Sequence, residues 1–344
     1  MESAISSLTI KKLIEEIKPK IEDKYLSKIQ QLENNLYRIR FSPGSTDLLI
    51  EPGKRLNITK YRLKAPKEAT QASMVLRKHL ENTKLKEIKQ KGFDRVVEMT
   101  FTNGKKLIAE LFSEGNLILT DQDKKIIYAH RRGTWKHRKI IKNEEYKYPP
   151  SETQNPQELT LKRFKELLES SEDKKIVVNL AVDLGLGGKL AEHICKQAEI
   201  DKDEKELTDE EKKKIHKQIE QTLEKEIKPV KQENQINPFP LKAKIDQEYE
   251  SLNQAIDENY TKKEEETTKS KELQKLEKRL EHQKQSIKQF KEKIEQNKEK
   301  GDLIYKNYDK VAKAVELFKK GKKEKLEELG IKVKNGKIKL NLED

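Results

Sequence analysis

The sequence of 344 residues has a single cysteine, Cys195, which excludes an internal disulfide framework and fits a reducing compartment. It also has no apolar run near the roughly 20 residues that a membrane-spanning helix needs. The start, Met1-Glu2-Ser3, lacks the basic residues and the apolar core of a signal peptide. These absences predict a cytoplasmic protein with no membrane partner.

Hydrophobic residues are scarce as well, at 33% against 40% charged residues. This balance is too polar for one large core and is typical of a chain with a long solvated element. We divide the sequence into four regions and expect an α+β fold. The regions are a mixed β-rich domain (1–150), a helical module with a linker (151–240), a long helix (241–300) and a small α/β tip (301–344).

Positive charge is concentrated in the first region. The net charge is +14, and residues 1–150 hold 32 Lys and Arg against 19 Asp and Glu, a net of +13. A localised basic surface is typical of a protein that binds a polyanion. An ordinary lysine-rich surface is the other interpretation, and composition favours neither.

Apolar spacing predicts the elements of the first region. Leu8 to Leu32 has helical spacing interrupted at Pro19, and Pro66 is expected to open a second helix. Alternating residues and turn-forming connections predict strands. These strands are 36–41, 47–51, 55–59, 95–102, 105–112, 116–120 and 125–129.

Residues 241–300 contain a heptad pattern. Its members alternate spacings of three and four, which predicts a coiled-coil helix beginning near Leu241. They are Leu273, Leu276, Leu280, Gln283, Ile287, Phe290 and Ile294. A single helix cannot bury such a seam, so we expect a return helix or self-association. A hairpin around Asn335-Gly336 follows shortly before the last residue, which suggests a truncated sequence.

An adjacent acid and base, Asp94-Arg95, stand at the entrance of the predicted meander. An arginine offers a planar donor fork to phosphate or to a base edge, and the carboxylate can orient it. Taken by itself, such a pair more often keeps a strand edge soluble, and its neighbours in the sequence reverse that preference.

The neighbours of this pair form a specific ordered series. The pieces are LIEPGKR (49–55), LRKHL (76–80), QKGFDR (90–95), Glu110-Leu111 and GNLIL (115–119). This order resembles the NEMF/RqcH family, also called NFACT or fibronectin-binding protein A-like proteins, in its archaeal type. The resemblance implies that Asp94 and Arg95 take part in tRNA recognition.

Further residues are candidates for RNA contact. Arg77 and Lys78 lie in the LRKHL helix, where a cationic surface is the plainer interpretation. The resemblance assigns Glu110 and Leu111 to tRNA handling, although simple strand alternation also explains them.

The run 131–139 interleaves Trp135 with five cations, among them Arg131, Arg132 and Arg138. Such a mixture suits phosphate contact with base stacking. Packing of Trp135 into the domain is an equal alternative.

The resemblance also implies a fold like the amino-terminal domain of formamidopyrimidine-DNA glycosylases, followed by a helix-hairpin-helix-like module. Leu184-Gly185-Leu186-Gly187-Gly188 matches that turn, and we favour a packing role for it. The amino-terminal proline nucleophile of the glycosylases is missing. We therefore expect neither an enzyme nor a cofactor or metal. Thr9 stands where the family commonly has an aspartate linked to tRNA function.

By this resemblance, the protein binds the large ribosomal subunit that carries a stalled peptidyl-tRNA. It would recruit tRNA, with alanyl-tRNA expected, for untemplated tailing of the nascent chain. Two alternatives remain: a fibronectin-binding, adhesive coiled-coil protein, and a nucleic-acid-binding relative of the glycosylases without catalysis.

Overall fold

The structure, a computed structural model, describes residues 5–32, 35–135, 138–150, 153–171, 173–334 and 337–342. Within these ranges, the side chains of 262–273 and 334 are outside the description. The chain forms two compact units, Met1–Lys263 and Glu264–Asp344. The finer division into four domains stays a prediction.

The first unit begins with two antiparallel sheets, each accompanied by a helix. Helix α1 (Ser7–Ile21) precedes a sheet in the order β1-β2-β3-β4, and α2 (Gln71–Leu80) precedes a sheet in the order β5-β6-β7-β8-β9. The first sheet consists of β1 (Tyr25–Gln31), β2 (Tyr37–Ser42), β3 (Thr46–Glu51) and β4 (Arg55–Thr59). The second consists of β5 (Leu85–Gln90), β6 (Val96–Phe101), β7 (Lys106–Glu110), β8 (Asn116–Thr120) and β9 (Ile126–Ala129).

The main core combines residues from both sheets and both helices. Val97, Met99 and Phe101 on β6 face this core, as their alternation predicts, while Val96 and Ile108 face a second cluster on the other side of the sheet. The mixed α+β, β-rich amino-terminal architecture expected from the sequence is therefore present. The finer likeness to DNA glycosylases stays a prediction.

Two strands of these sheets, β1 and β5, differ from the sequence-based predictions. The helix predicted over Leu8–Leu32 ends at Ile21, and β1 follows it; β5 is a further strand that was not predicted. Asp23 has a φ of +59°, a conformation that interrupts a helix. The second helix begins at Gln71, not at Pro66, because the Thr70 side chain caps it by accepting a hydrogen bond from the Ser73 amide.

The helical module consists of α3 (Leu161–Glu169), α4 (Ile176–Val178), a π-helical turn (Asn179–Asp183), α5 (Gly188–Gln197) and α6 (Asp209–Glu224). Helix α6 begins with a capping box, in which the Thr208 amide donates a hydrogen bond of 2.8 Å to the Glu211 carboxylate. A short hairpin, β10 (Gly133–Trp135) with β11 (Arg138–Ile140), lies between the second sheet and this module in sequence. The prolines of the predicted linker flank β12 (Val230–Gln232) and β13 (Gln235–Asn237), which pair with β14 (Gln247–Glu248).

The long helix α7 (Leu252–Lys306) starts later than the predicted Leu241, because β14 precedes it. Its first turns are fixed to β4 by buried polar contacts. The Asp257 carboxylate accepts hydrogen bonds of 3.0 Å from the Asn57 side chain and from the Lys60 amide. Leu252 and Ile256 are buried in the main core. The start of α7 is thus an integral part of the first unit.

In the second unit, α7 is followed by α8 (Tyr308–Lys319), α9 (Lys323–Glu328), β15 (Lys332–Lys334) and β16 (Lys337–Lys339). Ala314, Leu326 and Ile331 form its small core. The turn of the predicted hairpin, Asn335-Gly336, lies outside the described residues. Heptad side chains are each more than half exposed at Leu276, Leu280, Ile287, Phe290 and Ile294. Coiled-coil pairing therefore stays a prediction. Across the described residues, no helix has the length and apolar character needed to cross a bilayer.

Candidate nucleic-acid interface

Asp94 and Arg95 lie half-buried immediately before β6. The Asp94 carboxylate accepts a hydrogen bond of 2.7 Å from the Arg95 amide, so the acid fixes the backbone of its neighbour. The Arg95 carbonyl accepts a hydrogen bond of 2.8 Å from the Leu111 amide. Within the part of the chain that the structure describes, the Arg95 guanidinium makes no ion pair. Its donors therefore remain available to a ligand.

The first turn of α1 lies beside this pair. The side-chain amide of Gln90 donates hydrogen bonds to the carbonyls of Ser7, at 3.0 Å, and Asp94, at 2.7 Å. Thr9 belongs to this same turn, where it is buried and its hydroxyl is 2.8 Å from that of the capping residue Ser6. Thr9 thus contributes to the helix cap next to the acid–base pair.

The helical module contacts the other side of the pair. Phe93 is buried in the module's core cluster together with Leu184 and Leu186. A Cβ atom added to Gly185 would lie 3.9 Å from the Phe93 carbonyl oxygen. The glycine turn of the module therefore packs directly against the residue that precedes Asp94, in agreement with the packing role expected for that turn.

Two glycine turns form the joint between the sheets. Gly53, with φ of +78°, donates a hydrogen bond of 3.0 Å to the Glu110 carbonyl. A Cβ atom on Gly115, with φ of +66°, would lie only 1.8 Å from the Gly53 nitrogen. No side chain fits between backbones this close, so the LIEPGKR and GNLIL segments meet because each has a glycine there.

An open cleft of about 590 Å³, here called the Trp135 cleft, adjoins this joint. Its walls come from the end of β7, the turn after it, the β10–β11 hairpin and Pro150. The lining residues are Glu110, Phe112, Ser113, Glu114, Gly115, Asn116, Arg131, Trp135, Arg138 and Pro150. Leu111 connects the cleft to the acid–base pair, because its amide binds Arg95 and its neighbour Phe112 lines the cleft.

Trp135 presents an open aromatic surface at the cleft, with 49% of the residue exposed. The Arg138 guanidinium lies 5.9 Å from the centre of its ring. Gly133 lies beneath the ring, since an added Cβ would come within 2.9 Å of it. The ring is therefore held from one side and can stack with a base on the other.

Arg138 and Glu110 form a buried, two-pronged ion pair. Nη1 is 2.5 Å from Oε1 and Nη2 is 3.0 Å from Oε2, and Tyr146 donates a hydrogen bond of 2.9 Å to the same carboxylate. Burial and the nearby Glu110 charge raise the pKa of Tyr146, so its hydroxyl stays a donor. These contacts favour a structural role for Glu110 and Arg138 at the base of the cleft.

The other cations around the cleft differ in their exposure. Arg131 is exposed and pairs with Glu114. Its backbone amide donates a hydrogen bond of 3.0 Å to the Asn116 side-chain oxygen, and its carbonyl accepts one of 3.0 Å from the Asn116 side-chain nitrogen. Arg132 is exposed as the next residue. Residues 136–137 of the 131–139 run lie outside the described residues. Arg131 is thus an accessible cation that lines the cleft, and Arg132 is the exposed residue next to it.

The remaining candidates lie elsewhere. The Leu111 side chain is fully buried in the main core. Arg77 is half-buried and donates a hydrogen bond of 2.8 Å to the Ile29 carbonyl, and Lys78 is exposed at the end of α2. Asn103, at the far end of β6 from Arg95, binds the carbonyl of His79 beside Lys78. Since β6 has six residues, its ends are about 20 Å apart.

Sequence reasoning did not identify Phe112 and Pro150 as cleft residues, or Gly53 as part of the joint. The EPG turn is part of the LIEPGKR motif, but its contact partner, Gly115, lies some sixty residues later in the chain. A positive-φ glycine beside a motif is the one local signal that could have indicated a close backbone approach.

A family model of NFACT N-terminal and middle domains matches residues 6–342. Among curated proteins, the archaeal Rqc2 homolog aRqcH of Methanocaldococcus jannaschii is 38% identical over 181 residues, 50% of this chain and 27% of that protein. The human ribosome quality control complex subunit NEMF is 28% identical over 178 residues, 50% of this chain and 16% of that protein. The aligned part is therefore about a quarter or less of these relatives.

Among solved structures, the N-terminal part of the fibronectin/fibrinogen-binding protein from Streptococcus suis gives a TM-score of 0.65 at 22% identity. The match covers 75% of this chain and all of that one. The fibrinogen-binding protein from Staphylococcus aureus gives 0.58 at 21% identity, covering 73% and 97%. At these identities the likeness concerns the fold. With nearly the whole sequence matched by the family model, this chain belongs to the NFACT family, the NEMF/RqcH family of proteins.

Proposed function

We propose that this chain is a ribosome quality control factor that binds the large ribosomal subunit carrying a stalled peptidyl-tRNA. In this proposal it also recruits tRNA, with alanyl-tRNA expected, for untemplated tailing of the nascent chain. Peptidyl transfer belongs to the ribosome, so the chain itself supplies binding and positioning without a catalytic residue. It would act in the cytoplasm.

The observation that carries the proposal is the convergence of three separate segments on the segment that holds Asp94-Arg95. Gln90 bridges the first turn of α1 to Asp94, the helical module packs on Phe93, and Leu111 joins Arg95 to the Trp135 cleft. Family membership supports the general role, because curated relatives in animals are named as ribosome quality control complex subunits and the archaeal relative is named as an Rqc2 homolog.

The chemistry of the site suits single-stranded RNA. Arg95 has a guanidinium without an ion-pair partner in the described residues, and Trp135 has an open ring. Arginine can bind phosphate or a base edge through two parallel hydrogen bonds, and an exposed indole can stack on an unpaired base. A tRNA loop offers both phosphates and unpaired bases.

The test is co-sedimentation with purified large subunits, either empty or bearing peptidyl-tRNA. Wild-type protein should prefer the loaded subunits, and the double variant Asp94→Ala with Arg95→Ala should lose that preference. Loss of one arginine contact to RNA costs about 1–3 kcal/mol, so we expect affinity for loaded subunits to fall about 5- to 150-fold.

The matched control is Lys175→Ala with Asp203→Ala, which removes an exposed ion pair of 2.8 Å from the helical module. It should keep the preference for loaded subunits. Equal wild-type affinity for empty and loaded subunits would contradict tRNA recognition. Retention on immobilised fibronectin in preference to subunits would support the adhesive alternative.

A further inference from the structure

A second basic surface, here called the lysine patch, lies at the opposite end of β6 from Arg95. It consists of Lys78, His79, Lys105 and Lys142. These residues come from three separate parts of the chain: the last turn of α2, the turn between β6 and β7, and the segment after β11. Lys78 and Lys142 are exposed, and His79 and Lys105 are half-buried.

Hydrogen bonds hold the parts of the patch together. The Asn103 side chain donates a hydrogen bond of 2.8 Å to the His79 carbonyl, and its oxygen accepts one of 3.1 Å from the Lys105 amide. The turn between β6 and β7 is thereby fixed to the end of α2. The position of Lys105 beside His79 is therefore set by the fold and does not depend on a flexible loop.

The patch has a strongly positive local field. Burial and then the charges of Lys105, Lys78 and Lys142 lower the pKa of His79. None of the three lysines makes an ion pair within the described part of the chain. By contrast, Lys106, which follows Lys105, contacts the Glu98 carboxylate at 2.9 Å. The patch therefore combines three lysines whose ammonium groups have no carboxylate partner among the described residues.

Helix stability explains only part of this arrangement. Cations in the last turn of a helix interact favourably with its dipole, which accounts for Lys78 and His79. Lys105 and Lys142 belong to other elements, and their charges act on the same imidazole, which adds repulsion. An electrostatic cost of this kind is typical of a surface that binds an anion.

We propose that the lysine patch binds the sugar–phosphate backbone of ribosomal RNA, separately from the tRNA held at the Asp94-Arg95 end. This rests on the proposed function, because it assumes a ribosomal partner. Lysine side chains are point charges on flexible stems, which suits contact with phosphates without reading bases. The separation of about 20 Å between the two ends of β6 allows two RNA segments to bind at once.

The experiment compares the full chain with the triple variant Lys78→Gln, Lys105→Gln and Lys142→Gln. Affinity for empty large subunits, and for a mixed-sequence RNA duplex of about 16 base pairs, is measured from about 50 to 200 mM salt. Each phosphate contact contributes about 0.9 to the slope of log affinity against log salt. Raising the salt from about 50 to 200 mM should therefore weaken binding of the triple variant about 40-fold less than it weakens binding of the wild-type protein.

The matched control is Lys213→Gln, Lys214→Gln and Lys217→Gln, which removes the same charge from exposed positions on α6. It should keep the wild-type salt dependence. An equal effect in both variants, or no effect in the patch variant, would overturn the proposal. Equally tight binding of polyglutamate would do so as well, because the partner would then be an acidic protein surface.

His79 offers an independent readout by NMR, with its signal assigned through His79→Gln. Saturating RNA duplex should raise the pKa of His79, because phosphates screen the three lysines; an unchanged titration would overturn the proposal. These measurements use empty subunits and duplex alone. If wild-type protein fails to prefer tRNA-loaded subunits, the proposed function fails while the patch is still judged by its own salt dependence.

Discussion

The substitution Arg138→Met removes the guanidinium that pairs with the Glu110 carboxylate at the base of the Trp135 cleft. Both groups are shielded from water, since Glu110 is 2% exposed and the Arg138 side chain 13% exposed. Methionine keeps the length of the side chain but donates no hydrogen bond. Among the described residues, the Glu110 carboxylate would then keep only the bond from Tyr146.

Removing one partner of a buried ion pair costs about 3–5 kcal/mol, because the other charge stays desolvated. Because the bond from Tyr146 remains, we expect a loss of folding stability near the lower end of this range, at about 3 kcal/mol. The double variant Glu110→Gln with Arg138→Met removes the charge as well as its partner. It should therefore lose less stability than Arg138→Met alone, a coupling that a double-mutant cycle measures.

The assay is urea unfolding followed by the fluorescence of Trp135, the single tryptophan of the chain, which lies beside Arg138. A loss of about 3 kcal/mol lowers the midpoint by about 1 M or more. Lys139→Met is the control, since it removes an exposed cation from the same strand and should cost less than about 0.5 kcal/mol. Wild-type stability in Arg138→Met together with lost RNA binding would refute this reasoning and make Arg138 an RNA contact.

Two further predictions concern the joint between the sheets and the pH dependence of stability. In the same urea assay, Gly115→Ala should destabilise the first unit by about 2–5 kcal/mol, because the added methyl group is strained at positive φ and clashes with Gly53. Gly188→Ala is the control: an added Cβ there would have nothing within 4 Å, so this variant should be neutral or slightly stabilising. His130 contacts the Tyr37 hydroxyl at 2.8 Å, and burial lowers its pKa below the value of about 6.5 expected in the unfolded chain. The neutral imidazole therefore stabilises the fold fully above about pH 6.5, and this stabilisation is lost as the pH falls through the lowered pKa. Wild-type protein should therefore lose more stability than His130→Asn between about pH 7.5 and about pH 5.5, and equal losses would contradict this.

The meander of β6 to β9 could be predicted from sequence because one face of the sheet is buried and apolar residues alternate along it. β1 and β5 could not, because each contains a bulge. The bulges place Leu26 with Ile29, and Leu85 with Ile88, on one buried face at a spacing of three. That spacing imitates a helix, which is why Leu8–Leu32 was interpreted as a single helical segment.

The candidate site could be predicted in its parts but not in its arrangement. Ordered motifs identified the family and Asp94-Arg95, since those are properties of the linear sequence. The backbone contact of Gly53 with Gly115 and the pairing of Glu110 with Arg138 depend on tertiary packing. A motif search cannot tell a carboxylate that faces a ligand from one that neutralises a buried arginine.

The central claim is that Asp94-Arg95 recognises tRNA on the large subunit. The most direct measurement compares binding of wild-type protein and of Asp94→Ala with Arg95→Ala to subunits with and without peptidyl-tRNA, after urea unfolding has shown equal stability. The account predicts that the variant loses its preference for loaded subunits while its affinity for empty subunits is unchanged. An unchanged preference in the folded variant would contradict it and shift recognition to Arg131, which lines the Trp135 cleft, and to the exposed Arg132 next to it.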